Sequence, residues 1–563
     1  MTRSEALAAL RANPEVSVLV IGAGINGIGT FRDLALNDVD VLLVDRLDFC
    51  SGASAASSHM AHGGIRYLEN GEFRLVREAI QERNRLIRNA PHLVRPLPTT
   101  IPIFRALSGL LNAPLKFAGL LDRPSERGAL VIKLGLLLYD AYAGRERVLP
   151  THRFRNRSES LRQWSRLNPS VRYTATYFDG AILQPERLGL ELILDAEAAN
   201  PEARALNYVS VVRQAGTQVV LRDELTGSTY EARPHLVVNA TGPWIDNTNQ
   251  ALGLSTRLIG GTKGSHLVLR HPALRAAIGD HEFFFENKDG RIVLIFPLFD
   301  RVLVGTSDIP VSDPDEVRCT EEEVDYFIEM IAHVFPLVKV AREDIVFRFS
   351  GVRPLAASTT RTTGQITRDH EIEVAPAGSS GLAFPVYSLV GGKWTSFRAF
   401  SEQVTDKALS HLGKTRQIKT VNVPIGGGRN YPLRPAQRLQ LLQDIATQSG
   451  LSGSNLEQLF ERYGTRTSEI AQFIMAGDDT RLPALQDYSH REVGFIALHE
   501  KVAHLDDFLL RRSMLAMLGR VTRDGVNAVG HSLAEWLGWD ARTAEAEVAR
   551  ALQIMRERHQ VEL

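Results

Sequence analysis

The chain has 563 residues and lacks several things that would narrow its class at once. It has two cysteines, Cys50 and Cys319, too few for a disulfide framework and in keeping with a reducing cytosol. Lys+Arg and Asp+Glu both total 65, so no net charge draws it to nucleic acid. No cysteine or histidine spacing suggests a metal site. No apolar run is long enough to span a bilayer: GALVIKLGLLLYDAYAG at 128–144 is too short and Lys133 interrupts it. The N-terminus, MTRSEALAALRANPEV, lacks the apolar centre of a signal peptide. Internal repeats and low-complexity tracts are also absent. What remains is 44% hydrophobic and 23% charged, ordinary for a soluble globular protein whose length implies two or three domains.

VSVLVIGAG followed by INGIGTFRDLALND reads as strand, tight turn and helix, and VDVLLVDR at 39–46 as a second buried strand. Gly22 allows the turn, Gly24 admits a pyrophosphate close to the backbone, and Gly27 lets the helix pack on the strand. Asp45 follows about twenty residues later, the spacing of an acid that holds a ribose hydroxyl. HLVVNATGPWIDN at 235–247 is another strand running into a small-residue turn. Between 264 and 309, GSHLVLR, EFFFEN, RIVLIFPLF and RVLVGTSD are strand-like with short connections and no helix between them. Lys288–Asp289–Gly290 is a hairpin signal there, so an antiparallel sheet is expected. NVPIGGGRNYP at 422–432 reads as a linker. The chain beyond it is helical in pattern, with a capping box from Ser454 to Glu457. IFRALSGLLNAPLKFAGLL at 103–121 and the stretch 128–144 form an apolar, lightly basic region. It packs as two core helices or lies on a membrane surface.

Six further stretches go beyond a plain dinucleotide motif. They are GASAASSHMAHGGIRYLENGEFRLVREA at 52–79, NATGPW at 239–244, KGSH at 263–266, SGVRPL at 350–355, ITRD at 366–369 and VGGKWTSFR at 390–398. In combination they resemble the flavin-dependent glycerol-3-phosphate dehydrogenase family, of the aerobic, quinone-linked type, over essentially the whole chain. The resemblance implies an α/β protein in three parts. A Rossmann-like FAD-binding domain would take 15–95, 170–263 and 350–421. An inserted antiparallel-sheet domain, facing substrate and membrane, would take 96–169 and 264–349, and a C-terminal helical domain 433–563. It further implies FAD in an extended pose and oxidation of sn-glycerol 3-phosphate at C2 to dihydroxyacetone phosphate. Electrons would pass to membrane quinone, or to oxygen in the oxidase branch. Such a protein is expected in the cytoplasm, peripherally attached to the inner face of the cell membrane. Two departures leave the polyol phosphate open, erythritol phosphate included. His59 stands where the family has lysine in SSKxxHGG, and Gln184-Pro185-Glu186-Arg187 stands where it has DDAR.

By motif and resemblance the cofactor-binding residues are Gly22, Gly24, Gly27, Asp45, Arg46, Ser57, Ser58, His62, Gly63, Gly64, Thr241, Gly242, Gly391, Gly392, Lys393 and Thr395. The helical pattern after Gly391-Gly392-Lys393 would aim a helix N-terminus at the flavin edge that gains negative charge. FAD is expected to be held without a covalent tether. A substrate phosphate needs cations, and Arg66, Arg353, Arg368 and Lys393 are the candidates, with Tyr67 as a hydrogen-bonding wall. Arg353 sits among small and apolar neighbours with no sequence-local acid, which points to a bound anion as its partner. His266 is the favoured base, alongside Arg353 and Lys393 as catalytic residues. Two rivals remain: a flavin amine oxidase acting on amino acids or sarcosine, and a nucleotide-binding regulatory or scaffold protein. The C-terminal helices leave open a homodimer contact, a membrane contact or a cap on the substrate domain.

Overall fold

The structure, a computed structural model, describes residues 1–65, 72–105, 129–144, 148–287, 292–357 and 369–563. Two sheets organise it. In the first, the strands Val386–Val390, Thr229–Asn239, Glu15–Ile21, Val41–Val44 and Arg204–Leu206 lie side by side and parallel. Glu371–Ala375 adds an antiparallel edge. A parallel sheet covered on both faces calls for continuous apolar strands. Accordingly Val18 and Val20 pack towards the helices Ile25–Ala35 and Phe397–His411, while Val16, Leu19 and Ile21 pack against Ala6, Leu7 and Leu10 of the N-terminal helix Arg3–Ala12.

Among the described residues the second sheet has ten strands and is almost wholly antiparallel, with Glu282–Glu286 and Val94–Ile103 paired in parallel. Alternation explains its sequence. Val293 and Ile295 face the helix Glu321–Val334, while Leu294, Phe296 and Leu298 face Leu505, Leu515 and Leu533 of the C-terminal region. The C-terminal helices thus cover the outer face of this sheet. His559 of the last helix donates through Nδ1–H to Arg348 O at 2.9 Å, and its ring stacks on Phe347.

Several expectations are redrawn. The segments 170–263 and 350–421, expected in the FAD-binding domain, contribute strands to both sheets: Tyr173–Ile182 and Ile345–Arg353 belong to the second. A helix, Pro272–Ile278, does interrupt the strand run between 264 and 309; Pro272 opens it and His271 Nδ1 accepts from Leu274 N at 3.0 Å. The hairpin residues 288–290 lie outside the described residues, but the flanking strands pair antiparallel, Phe283 with Ile295. The helix expected from Ser454 starts two residues earlier: Ser452 caps Gly453–Tyr463 by accepting from Asn455 N, which leaves Glu457 outside the cap. NVPIGGGRNYP is no free linker. Ile425 N donates to Asn89 O at 2.8 Å and Gly427 N to Glu191 Oε2 at 3.1 Å. A Cβ on Gly427 would stand 1.9 Å from Tyr463 O, so the glycines permit a packed strap.

Candidate active site

The glycine turn closes onto the strand Thr229–Asn239. Gly22 has φ +98°, and a Cβ there would meet Ala240 O at 2.7 Å. A Cβ on Gly27 would stand 1.9 Å from Gly22 O, which brings the helix Ile25–Ala35 hard against its strand. At Gly24 the space is wider, with only Ser54 Oγ near, at 3.3 Å. This leaves an open cradle at a helix N-terminus, the place where a phosphate gains most from free N–H groups. Asp45 lies at the rim, but its carboxylate ties backbone together. Ala23 N donates to Oδ2 at 2.7 Å and Leu47 N to Oδ1 at 2.9 Å. Burial pushes it up to about 6, against those two bonds. Each oxygen keeps a second lone pair for a hydroxyl donor. Arg46 is exposed, lies over the Trp244 ring at 4.7 Å and pairs with Asp315.

Three distant segments meet beside this turn. Ile25 N donates to Ser54 Oγ at 2.9 Å, and Trp394 Nε1 to Ser54 O at 3.0 Å. Asn26 Nδ2 donates to Gly391 O at 3.1 Å. Gly391 and Gly392 have φ +79° and +93°, and a Cβ on Gly392 would stand 2.3 Å from Asn26 Nδ2. His62 N donates to Thr395 Oγ1 at 3.0 Å, and Gly63 N to Asp179 Oδ1 at 2.9 Å; Gly64 follows with φ +71°. The helix Phe397–His411 begins beyond the turn 394–396, so Lys393, half-buried, precedes its N-terminus by a full turn. Thr241 donates through Oγ1 to Asn239 Oδ1 at 2.7 Å, and Gly242, φ +61°, opens the next short helix.

On the second sheet, His266 and Arg353 sit on the paired strands Thr262–Leu269 and Ile345–Arg353. His266 Nε2 shares a hydrogen bond with Ser58 Oγ at 2.9 Å, and its ring stacks on Phe349 at 4.8 Å. Burial, helped by Arg353 and His59, holds the imidazole well below its ordinary range, so it is neutral near pH 7. Its Nδ1 has no hydrogen-bond partner among the described residues. Ser57 Oγ accepts from His59 N at 3.3 Å. His59, the family's lysine position, is fully buried with φ +55°, and burial brings it down to about 4.

Arg353 departs from expectation. It is half-buried and has protein partners: Asp308 Oδ1 at 3.3 Å, Thr306 Oγ1 at 2.7 Å and Ser307 O at 3.0 Å. The acid comes from 45 residues away, across the sheet, where sequence-local reasoning cannot see it. Gly264 of KGSH exists for this guanidinium, since a Cβ there would stand 2.2 Å from Arg353 Nη2. Arg66, Tyr67 and Arg368 lie outside the described residues. The departure at 184–187 is also relocated. Arg187 is buried, pairs with Glu500 and donates to Arg512 O at 3.0 Å, so it fastens the C-terminal region rather than lining the substrate side. Among the described residues no group of three His, Cys, Asp or Glu could hold a metal ion.

Sequence reasoning missed Asp179, Tyr139 and Arg83, which hold Gly63. A signal was present. On the helix Phe73–Asn89, Arg83 falls on the same stripe as the buried Val76, Ala79, Ile80, Leu86 and Ile87.

Residues 17–386 match the FAD dependent oxidoreductase family, and 418–544 match the C-terminal domain of alpha-glycerophosphate oxidase. A glycerol-3-phosphate dehydrogenase of Synechocystis is 32% identical, over 96% of this chain and 97% of that protein. The chain belongs to the FAD-dependent glycerol-3-phosphate dehydrogenase family. A D-erythritol 1-phosphate dehydrogenase of Brucella abortus is 29% identical, over 89% of this chain and 95% of that one. The fold is shared with a crystal structure of glycerol-3-phosphate dehydrogenase from Bacillus halodurans complexed with FAD, at TM-score 0.74 and 22% identity over 98% and 97% of the two chains.

FAD is the cofactor of this family, and the residues present fit it. The open cradle at Gly24 suits a pyrophosphate. Asn26 Oδ1 and His266 Nδ1 are buried polar atoms with no partner among the described residues, as expected where a polar ligand completes the set.

Proposed function

We propose that the protein oxidises sn-glycerol 3-phosphate at C2 to dihydroxyacetone phosphate and passes the electrons to membrane quinone. The observation that carries this reading is the meeting of a guanidinium, Arg353, and a neutral imidazole, His266, against the serine-rich turn that holds Ser58. When bound, FAD supplies the acceptor for the hydride leaving C2. Gly22 and Gly24 would hold its pyrophosphate, Asp45 its ribose, and the segments 57–64, 241–242 and 391–395 would enclose the rest. His266 takes the hydroxyl proton at Nδ1, which requires that Nε2–H donate to Ser58 Oγ. Arg353 grips the phosphate, with Lys393 as the second cation.

A dye-reduction assay over polyol phosphates, glycine, sarcosine and proline tests the reaction. The highest kcat/KM is expected for sn-glycerol 3-phosphate, and turnover of the amino acids alone overturns the reading. Erythritol phosphate is the second reading, favoured by the Brucella relative and by His59 in the lysine position. Arg353→Lys keeps charge but loses the planar fork, so kcat/KM should fall about 30- to 150-fold for the phosphorylated polyol and little for glycerol. Equal losses for both would place Arg353 in the fold, through Asp308, and not at the phosphate.

The same reading puts the protein peripherally on a membrane. Leu130, Leu134, Leu137 and Leu138 form one exposed face of the helix Ala129–Ala143. Beside it Arg153, Arg155 and Arg162 border an open groove of about 480 Å³. No described helix is long and apolar enough to cross a bilayer. Co-sedimentation with anionic vesicles is the test, and recovery no greater than in a vesicle-free tube rejects the placement.

A further inference from the structure

We propose that Asp179, held by Arg83 and Tyr139, is a positioning residue that fixes the Gly63 peptide and through it the cofactor-facing loop. The proposal rests on the reading that the loop 57–64 faces the flavin. Three elements converge here: Arg83 from the helix Phe73–Asn89, Tyr139 from the helix Ala129–Ala143, and Asp179 from the strand Tyr173–Ile182.

All three side chains are buried. Asp179 Oδ1 accepts from Gly63 N at 2.9 Å, from Arg83 Nη1 at 3.0 Å and from the Tyr139 hydroxyl. That hydroxyl in turn accepts from Arg83 Nη1 at 2.6 Å, and Arg83 Nη1 reaches Phe178 O at 2.8 Å. Below the loop, the Tyr139 ring forms the floor: a Cβ on Gly63 would stand 2.1 Å from its hydroxyl oxygen. Gly63 is therefore a glycine because of Tyr139. The peptide can take one orientation, its N–H turned to Asp179 and away from the cofactor side. His62 N, turned to Thr395 Oγ1, pins the residue before it.

A buried carboxylate with one guanidinium is a weak source of stability, because both ions forfeit hydration. Burial raises the Asp179 carboxyl, with Arg83, Tyr139 and the Gly63 amide opposing. An apolar core would hold these three elements together as well. What an apolar core would not do is accept the Gly63 N–H. The network's specific product is the orientation of the Gly63 peptide, next to His62 N on Thr395 Oγ1.

Tyr139→Phe and Asp179→Asn test this in the FAD-loaded, full-length protein. Phe keeps the floor and removes the hydroxyl; Asn keeps an acceptor for Gly63 N and removes the charge. The readouts are the visible circular dichroism of the bound flavin, the rate of FAD release, Gly63 amide exchange, and kcat and KM separately. Tyr139→Phe should change the flavin dichroism, speed amide exchange at Gly63, release FAD about five- to tenfold faster, and lower kcat more than it changes KM. Asp179→Asn should keep the Gly63 bond and fall between wild type and Tyr139→Phe. If thermal stability drops in both variants while dichroism, FAD release and Gly63 exchange stay at wild-type values, the network is structural only and the proposal is overturned. The dichroism is measured without substrate, so a protein that oxidises no polyol phosphate still yields a result here.

Discussion

Asp48 and Asp179 are each buried against arginine, yet burial wins at one and loses at the other. Asp48 follows the strand Val41–Val44 and accepts from Arg512 Nη1 at 2.6 Å and Nη2 at 2.9 Å, from Arg511 Nε at 2.5 Å and from Asn207 Nδ2 at 3.0 Å. Burial pushes its carboxyl up, but two guanidiniums pull harder and hold it well below the ordinary range. Asp179 has Arg83 alone, and burial raises it. The count of cations per carboxylate decides, because one neighbour only partly restores the hydration a buried ion forfeits. The two sites also join different things. Asp48 ties the nucleotide-turn region to the C-terminal segment Phe508–Arg512, whereas Asp179 ties Gly63 to the helix Ala129–Ala143.

The largest effect is expected from breaking the fully ionic site. Asp48→Ala strands Arg512, whose other acceptors are backbone oxygens of Glu500 and Lys501, while Arg511 keeps Asp506 and Asp507. Loss of one partner of a buried pair costs about 3–5 kcal/mol, read by urea unfolding. Asp48→Ala with Arg512→Met should recover part of it, since the stranded charge is gone. A single variant within about 1 kcal/mol of wild type would mean that water reaches Arg512.

These two sites also mark where the sequence stops being legible. The glycine turn, the strand after it and Asp45 lie within 25 residues, and their spacing alone predicted the βαβ unit that the first sheet contains. Part of the second sheet was legible from the strand-like runs with short connections between 264 and 309. Asp48 and Arg512 lie 464 residues apart, and Arg353 finds Asp308 across a strand pair. Nothing local distinguishes such an aspartate from a solvated one. The strap at 425–428 misled for the same reason: its glycines report backbone contact with Glu191 and Tyr463, not looseness.

A smaller effect separates the two kinds of carboxyl by pH. Asp48 has its folded pKa below the unfolded value of about 3.9. Its contribution is complete above that value and is lost as pH falls through the folded one. Asp179 and Glu282 have the opposite sign. Their contribution is present below the unfolded value and is lost as pH rises through the folded one. Glu282 is fully buried, and burial pushes it up to about 8 from 4.5, so its window runs between those values. The melting temperature of wild type should decline across that window. Glu282→Gln keeps an acceptor for Thr99 Oγ1, which donates to Glu282 Oε2 at 2.8 Å, and removes the titration. Its profile should be flatter and lie above wild type at pH 8.5. Parallel profiles would remove Glu282 as the source.

The smallest effect is expected on the outer face of the helix that carries Tyr139. Leu136 and Tyr139 point into the protein at 0% and 3% exposure, while Leu137 is 51% exposed between them. Among the described residues, the hydrogen bond from this helix to Asp179 comes from the Tyr139 hydroxyl. Leu137→Asp should therefore change stability by no more than about 0.5 kcal/mol, as surface substitutions do. The visible dichroism of the flavin should match wild type, while recovery on anionic vesicles falls. A fall of several kcal/mol would mean that Leu137 packs against something and is not a free outer face. A shifted flavin dichroism with stability intact would mean that the helix as a whole, and not the Tyr139 hydroxyl, sets the loop. That outcome would erase the contrast between a carboxylate that positions a loop through the Tyr139 hydroxyl and one locked by two guanidiniums.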